Sequence, residues 1–270
     1  MTKHEPHVPA NEVDHHVFSL LQLVIRKSSD CSAKDEASRA LLYFLVRVAN
    51  TWCSIRTLRQ HSPSEQVFMV DAGTLLRAMY DACFQAEYVA HDPACINARA
   101  NDYLEYEHVE RYRISRKVLG HNTQLANRLK SSAKRPEGEK RVQSEYERVK
   151  DKYFLEKRQS DRTVKRGPRT RSTWYKGDLS ALADSLGKRA EYDTFVAVFN
   201  GCVHSSALAA QTGPVVSPQH VLTLASKIAA RVARLNARHN HIDMGDFYGP
   251  IMDALCKNFL VSVAEGGTGA

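Results

Sequence analysis

Long apolar runs are missing from this chain. Blocks such as Leu41–Val46 fall far short of the roughly 20 residues that a membrane-spanning helix needs, so no membrane crossing is expected. The N-terminal segment through His16 lacks a basic stretch followed by an apolar block and a small-residue cleavage site. No secretory leader is expected, and the default location is cytoplasmic. The six cysteines, Cys31, Cys53, Cys83, Cys95, Cys202 and Cys256, never form a Cys-x-x-Cys pair. They read as buried thiols and not as disulfides or a zinc site. Alternating β-branched runs and Asn-Gly or Asp-Gly hairpin turns are scarce, which argues against a sheet protein. No fixed-period repeat, phosphate-cradling glycine loop or nucleophile elbow is present, so no nucleotide cofactor is expected.

Acid is also scarce in one place. The net charge of the 270 residues is +8, and between Arg128 and Arg171 there are 16 Lys/Arg against 7 Asp/Glu. Outside that stretch the balance is 22 against 23. The basic character therefore belongs to one segment, as it would in a local attachment surface for phosphates or, equally, in a solvated helix laced with i, i+4 ion pairs.

What fills the chain is helical periodicity, and the fold class expected is all-α: a helical-bundle core with an inserted basic helical arm. A first helix is expected over about Asn11 to Lys27, with Val17, Leu20, Leu21, Val24 and Ile25 facing inward. Ser32 and Asp35 have capping-box spacing for a second helix that carries Leu41, Phe44, Leu45, Val48, Trp52 and Ile55. A third covers about Val67 to Ala90. Asp92 and Pro93 form a cap and first-turn pair for a fourth that ends near Gly120. Residues 121–173 form the arm, a long and largely exposed helix followed by a mobile basic loop around Gly167 and Pro168. The bundle resumes over 174–264, with a helix through Val221, Leu222, Ala225, Ile228, Val232 and Leu235, and residues 265–270 form a disordered tail. Residues 1–120 and 174–264 are then the two halves of the core.

Two constellations stand out on these helices. Tyr192, Val196, Asn200 and His204 form one i, i+4 row beside an apolar stripe. An imidazole at the edge of a core can move protons near neutral pH; a lone histidine there is more often part of a hydrogen-bonded core network. Arg77 and Asp81 lie one turn apart on the third helix, either as an ordinary helix ion pair or, set against His204, as a cationic subsite for phosphate. Metal hints are weaker. Glu105 and His108 form one Glu-x-x-His unit with no second copy elsewhere, and "HNHID" from His239 lies in a loop; no metal is expected. In the basic segment Arg162, Lys165, Arg166, Arg169 and Arg171, with Trp174 as a stacking ring, are the candidate nucleic-acid contacts.

The stretches "LLRAMYDACFQAEYV", "ARANDYLEYEHVERYR", "TWYKGDLSALADSLG" and "YDTFVAVFNGCVHSSA" resemble a bacterial family of helical proteins of unknown function. The likeness covers about Arg39 to Ala210 and places Arg77, Trp174, Tyr192 and His204 on family positions. Asp81 stands where that pattern has Glu, and Asn200 where it has Ser. The chain is more distantly similar to the HEPN-type helical ribonucleases, whose motif sets Arg and His on one helix. Here "NGCVH" supplies the Asn and the His, but the arginine would come from Arg77 on another helix. That resemblance implies metal-independent RNA cleavage in a bacterial defence or toxin system and a homodimer. In it Arg77 would hold phosphate, His204 would move the proton, and Asn200, Tyr192 and Asp81 would position them. The competing expectation is a non-catalytic helical module that binds a protein partner or an acidic surface.

Overall fold

The computed structural model of the chain describes residues 10–132, 135–155, 170–196, 199–200, 217–245, 248–251 and 253–255. Among the described residues every regular element is helical, and the nearest thing to a strand is one isolated bridge between Phe154 and Thr170. The protein is all-α. No helix among the described residues is long and apolar enough to cross a membrane.

In chain order the elements are α1 (Ala10–Cys31), α2 (Glu36–His61), α3 (Glu65–Ala90), α4 (Ile96–Gly120), α5 (Gln124–Lys130), α6 (Arg135–Val149), α7 (Leu179–Ser185), α8 (Arg189–Glu191) and α9 (Pro218–His239). A 3-10 turn follows α6 at Lys150–Tyr153, and a π turn follows α8 at Tyr192–Val196. The chain divides into two compact units, Met1–Asn97 with Leu179–Ala270, and Ala98–Asp178.

The first unit is a bundle of α1, α2, α3 and α9, with α7 against α3. Each helix buries the stripe its 3.6-residue period dictates: Val17, Leu20 and Leu21 from α1; Leu41, Phe44 and Leu45 from α2; Phe68, Leu76 and Met79 from α3. Full burial of each large side chain is worth about 1.5–3 kcal/mol. Helix α9 is buried over more than one stripe, from Val221 through Ala237, because it packs on α1, α2 and α3 together. Its small residues Ala225, Ala229, Ala230 and Ala233 let three neighbours approach. Polar pairs fix the alignment: Trp52 Nε1 donates to Ser226 Oγ at 2.9 Å, and Asn236 Nδ2 donates to the Leu41 carbonyl at 2.8 Å.

The helix ends differ from those the spacing predicts. Helix α1 runs on to Cys31, so Ser32 lies in its closing turn and its hydroxyl donates back to the Ser29 carbonyl. Asp35 caps α2 instead, accepting from Ser38 N at 2.6 Å. Asp92 and Pro93 form a turn, with Asp92 Oδ1 accepting from Ala94 N, and α4 begins at Ile96. For α9, Ser217 is the cap and Pro218 the first helical residue, as a missing N–H permits.

The second unit contains α4 from Ala98 onward, α5, α6, the 3-10 turn and the segment at 170–178. Its interior is aromatic. Tyr106 and Tyr153 meet edge to face at 5.1 Å, Tyr103 meets Trp174 at 5.5 Å, and Tyr112 stacks on Tyr146 at 3.9 Å. The expected long, exposed helix through Tyr153 is therefore corrected. Helix α6 stops at Val149, and Val149 and Tyr153 are buried because their side chains supply this core. The backbone closes on itself where Arg171 N donates to the Tyr153 carbonyl at 2.7 Å, beside the Phe154–Thr170 bridge. Arg113 locks this closure through Thr170 and Tyr106, both at 2.7 Å.

Candidate functional site

Helix α3 supplies the floor of the candidate site. Leu76, Met79 and Phe84 turn inward, which leaves Arg77 and Asp81 half-buried on a neighbouring face. Arg77 Nε donates to Asn200 Oδ1 at 2.7 Å, joining residues 123 positions apart in the chain. Asp81 does not complete this pair; its Oδ1 accepts from Gln85 Nε2 at 2.7 Å, one turn further along α3. Two of the residues singled out by spacing, Arg77 and Asn200, are thus brought together, and Asp81 is turned to another partner.

The segment carrying Asn200 runs antiparallel to α3. Lys188 Nζ donates to Glu87 Oε1 at 2.6 Å, the Phe195 ring stacks on Tyr80 at 6.1 Å, and Asn200 meets Arg77. Between the first and last contacts lies the π turn Tyr192–Val196. Such turns occur mostly as single wide turns and often at functional positions. Tyr192 is half-buried at the start of this turn, with the Arg189 guanidinium 5.8 Å from its ring centre.

Spacing did not point to the charged cluster beside this line. Arg231 of α9 donates through Nη2 to Glu87 Oε1 at 2.7 Å and through Nη1 to Glu191. Lys188 lies 3.9 Å from Glu191 as well, so two carboxylates and two cations share one half-buried position between α3, α8 and α9. The second oxygen of Glu87 is buried without a hydrogen-bond partner. Burial opposes the charge of Arg231, yet the facing carboxylates Glu87 and Glu191 outweigh it and hold the guanidinium more firmly protonated than usual. Burial pushes the Cys83 thiol beneath them up to about 12 and raises the Tyr80 phenol. One signal for the cluster was available: Arg231 interrupts "KIAARVARL" on the helix with the most continuous buried face.

The other expected positions fall out differently. His204, Arg162, Lys165, Arg166 and Arg169 lie outside the described residues. Trp174 is only 5% exposed and packs edge to face on Tyr103 and Tyr175, so its ring belongs to the interior of the second unit and offers no open face for stacking. Arg171 is half-buried, its guanidinium 5.4 Å from the Tyr153 ring centre and bonded to the Lys152 carbonyl. Both metal hints are committed elsewhere. His108 Nδ1 lies 3.2 Å from Glu145, and Glu105 pairs with Arg148 and Lys152. His239 Nε2 lies 3.3 Å from Asp35. Among the described residues no three His, Cys, Asp or Glu side chains come together as metal ligands.

An antiparallel helical bundle with an arginine–asparagine contact between distant helices is the class of protein that fold and site define. The chain belongs to a family of unknown function, DUF5677, whose model matches residues 38–212. That stretch takes in both Arg77 and Asn200. No curated protein and no solved structure matches the chain.

Proposed function

We propose that this chain engages nucleic acid and cleaves RNA without a metal, in the manner of the HEPN-type helical ribonucleases of bacterial defence or toxin systems. The observation that carries the reading is the hydrogen bond from Arg77 Nε to Asn200 Oδ1. It fixes the guanidinium through Nε, and among the described residues Arg77 has no further hydrogen bond or ion pair. Its two terminal nitrogens are the pair that binds two phosphate oxygens side by side. Asn200 precedes His204 by four residues, one helical turn in the sequence pattern. In this reading His204 takes the proton from a ribose 2′-hydroxyl, the 2′-oxygen attacks phosphorus, and the bond to the 5′-oxygen breaks. The imidazolium returns the proton to that leaving oxygen, giving a cyclic phosphate and a 5′-hydroxyl. Asn200 and Tyr192 position these groups. A homodimer would set two such sites across one cleft.

Attachment would come from Arg162, Lys165, Arg166, Arg169 and Arg171, with no contribution from the buried Trp174. The test is incubation of the purified chain with mixed-sequence RNA in EDTA. Wild type produces fragments ending in 5′-hydroxyls, and His204→Ala slows them by roughly 10²- to 10⁴-fold, the span of general acid–base catalysis. RNA left intact by wild type ends the enzymatic reading.

A second reading, a helical module that binds a protein partner or an acidic surface, is favoured by the ion pairing of the second unit. Arg135 pairs with Glu139, Lys150 with Glu147, and Arg148 and Lys152 with Glu105. Bases matched in this way neutralise few phosphates. Affinity for single-stranded RNA that stays flat between roughly 50 and 200 mM salt, where phosphate contacts would make it fall steeply, supports this module.

A further inference from the structure

The charged cluster of Glu87, Lys188, Glu191 and Arg231 has a geometry that stability alone does not explain. Four ionic side chains are drawn out of water at once, with side-chain exposures of 13%, 29%, 24% and 21%. Withdrawing charges costs about as much as their attraction returns, and well-packed apolar groups of the same volume generally stabilise as well or better. One oxygen of Glu87 is left buried and unpartnered in addition. What ionic contacts supply, and apolar ones do not, is direction.

That direction falls on the segment leading to Asn200. Lys188 precedes α8 and Glu191 ends it, immediately before the π turn, and both are held by partners on other helices, Glu87 of α3 and Arg231 of α9. Past the turn, Phe195 rests on Tyr80 and Asn200 accepts from Arg77. The π turn interrupts the α-helical register of this line, as such single turns often do at functional positions, so the register beyond it is not set by α-helical continuity alone. An anchor on the near side sets where the far side lands. We propose that Glu191 and Arg231 are positioning residues: their ion pair, backed by Glu87 and Lys188, holds the approach to the π turn on the bundle and thereby delivers Asn200 to the Arg77 guanidinium. This inference rests on the reading of Arg77 as the working cation of the site, but its test does not need catalysis.

The test is the hydrogen exchange of the Arg77 Nε–H, followed by nitrogen–proton correlation NMR of the full chain and assigned with Arg77→Lys. In wild type this proton is protected by roughly two- to tenfold relative to an exposed arginine, the range one net hydrogen bond supports. Asn200→Ala removes the protection. Glu191→Gln keeps the shape, deletes the charge and removes most of the protection, as does Lys188→Met at the more exposed end of the cluster. Asp14→Asn disrupts the Arg56–Asp14 ion pair between α1 and α2, away from this line, and leaves Arg77 protected at a comparable loss of melting temperature. Full protection in a folded Glu191→Gln or Lys188→Met protein overturns the proposal, as does equal loss in Asp14→Asn. Protection that behaves as stated while RNA stays intact sinks the ribonuclease reading and leaves the positioning role standing.

Discussion

The two compact units handle charge in opposite ways. In the bundle, Arg231, Lys188, Glu87 and Glu191 are drawn together in a half-buried position among three helices. In the second unit several ion pairs are exposed neighbours on one helix, Arg111 with Glu107 and Arg135 with Glu139, and others join two elements, as Arg148 does with Glu105, while tyrosines and a tryptophan supply the interior. A shallow groove of about 510 Å³ between α4 and α6, floored by Ile114, Val118, Leu119 and Val142, is rimmed by the paired Arg111 and Arg135. The difference teaches that counting ion pairs says little: the same chemistry is gathered among three helices in one unit and spread along exposed helix faces in the other.

The comparison breaks most sharply at Arg231. Arg231→Ala leaves Glu87 and Glu191 with Lys188 as their one remaining cation, and a loss of about 3 kcal/mol in urea unfolding is expected, the low end for breaking a buried pair. A loss under 1 kcal/mol would place this cluster with the surface pairs. Next comes the aromatic interior of the second unit. Tyr106→Phe removes the hydroxyl that accepts from Arg113 and donates to the Arg171 carbonyl at 2.7 Å, with an expected cost of about 1–3 kcal/mol, read from the same denaturation curve.

A smaller effect tests the capping of α2. Asp35→Ala costs about 1 kcal/mol. Burial alone would raise the Asp35 carboxyl, but hydrogen bonds from Ser38 and His239 outweigh it and hold it below its ordinary value of 3.8. A depressed carboxyl stabilises fully above its unfolded value and loses that contribution as the pH falls through the folded one. The gap in melting temperature between wild type and Asp35→Ala is therefore constant above about pH 5 and narrows below 3.8; a gap that widens in acid would reverse the assignment. Smallest of all, a double-mutant cycle on the exposed pair Arg111 and Glu107 returns about 0.3–0.5 kcal/mol.

Much of the architecture was legible because burial follows period. Val17, Leu20, Leu41, Phe44, Ile55, Val221 and Ile228 are all buried as their spacing predicts. Boundaries were less legible, since several polar residues compete for each helix end: Ser32 and Asp35 both have capping chemistry, and only the length of α1 decides between them. Trp174 was misplaced for a related reason. A ring amid basic residues reads as a stacking surface until Tyr103 and Tyr175 are seen around it. Arg77 and Asn200 were each visible as polar interruptions of apolar helices, but their meeting depends on an antiparallel approach that no local pattern encodes. The Arg231 cluster was hidden more deeply, because it takes three helices to assemble it.

One consequence follows from the way Arg113, Tyr106 and the Phe154–Thr170 bridge pin the two ends of the basic excursion. With those ends held together by the Arg171 N–H on the Tyr153 carbonyl and the bridge beside it, the tyrosine core of the second unit is closed by its own described residues. Whatever the basic tract carries, its two ends leave the second unit at one fixed point, the seam that Arg113 and Tyr106 clasp.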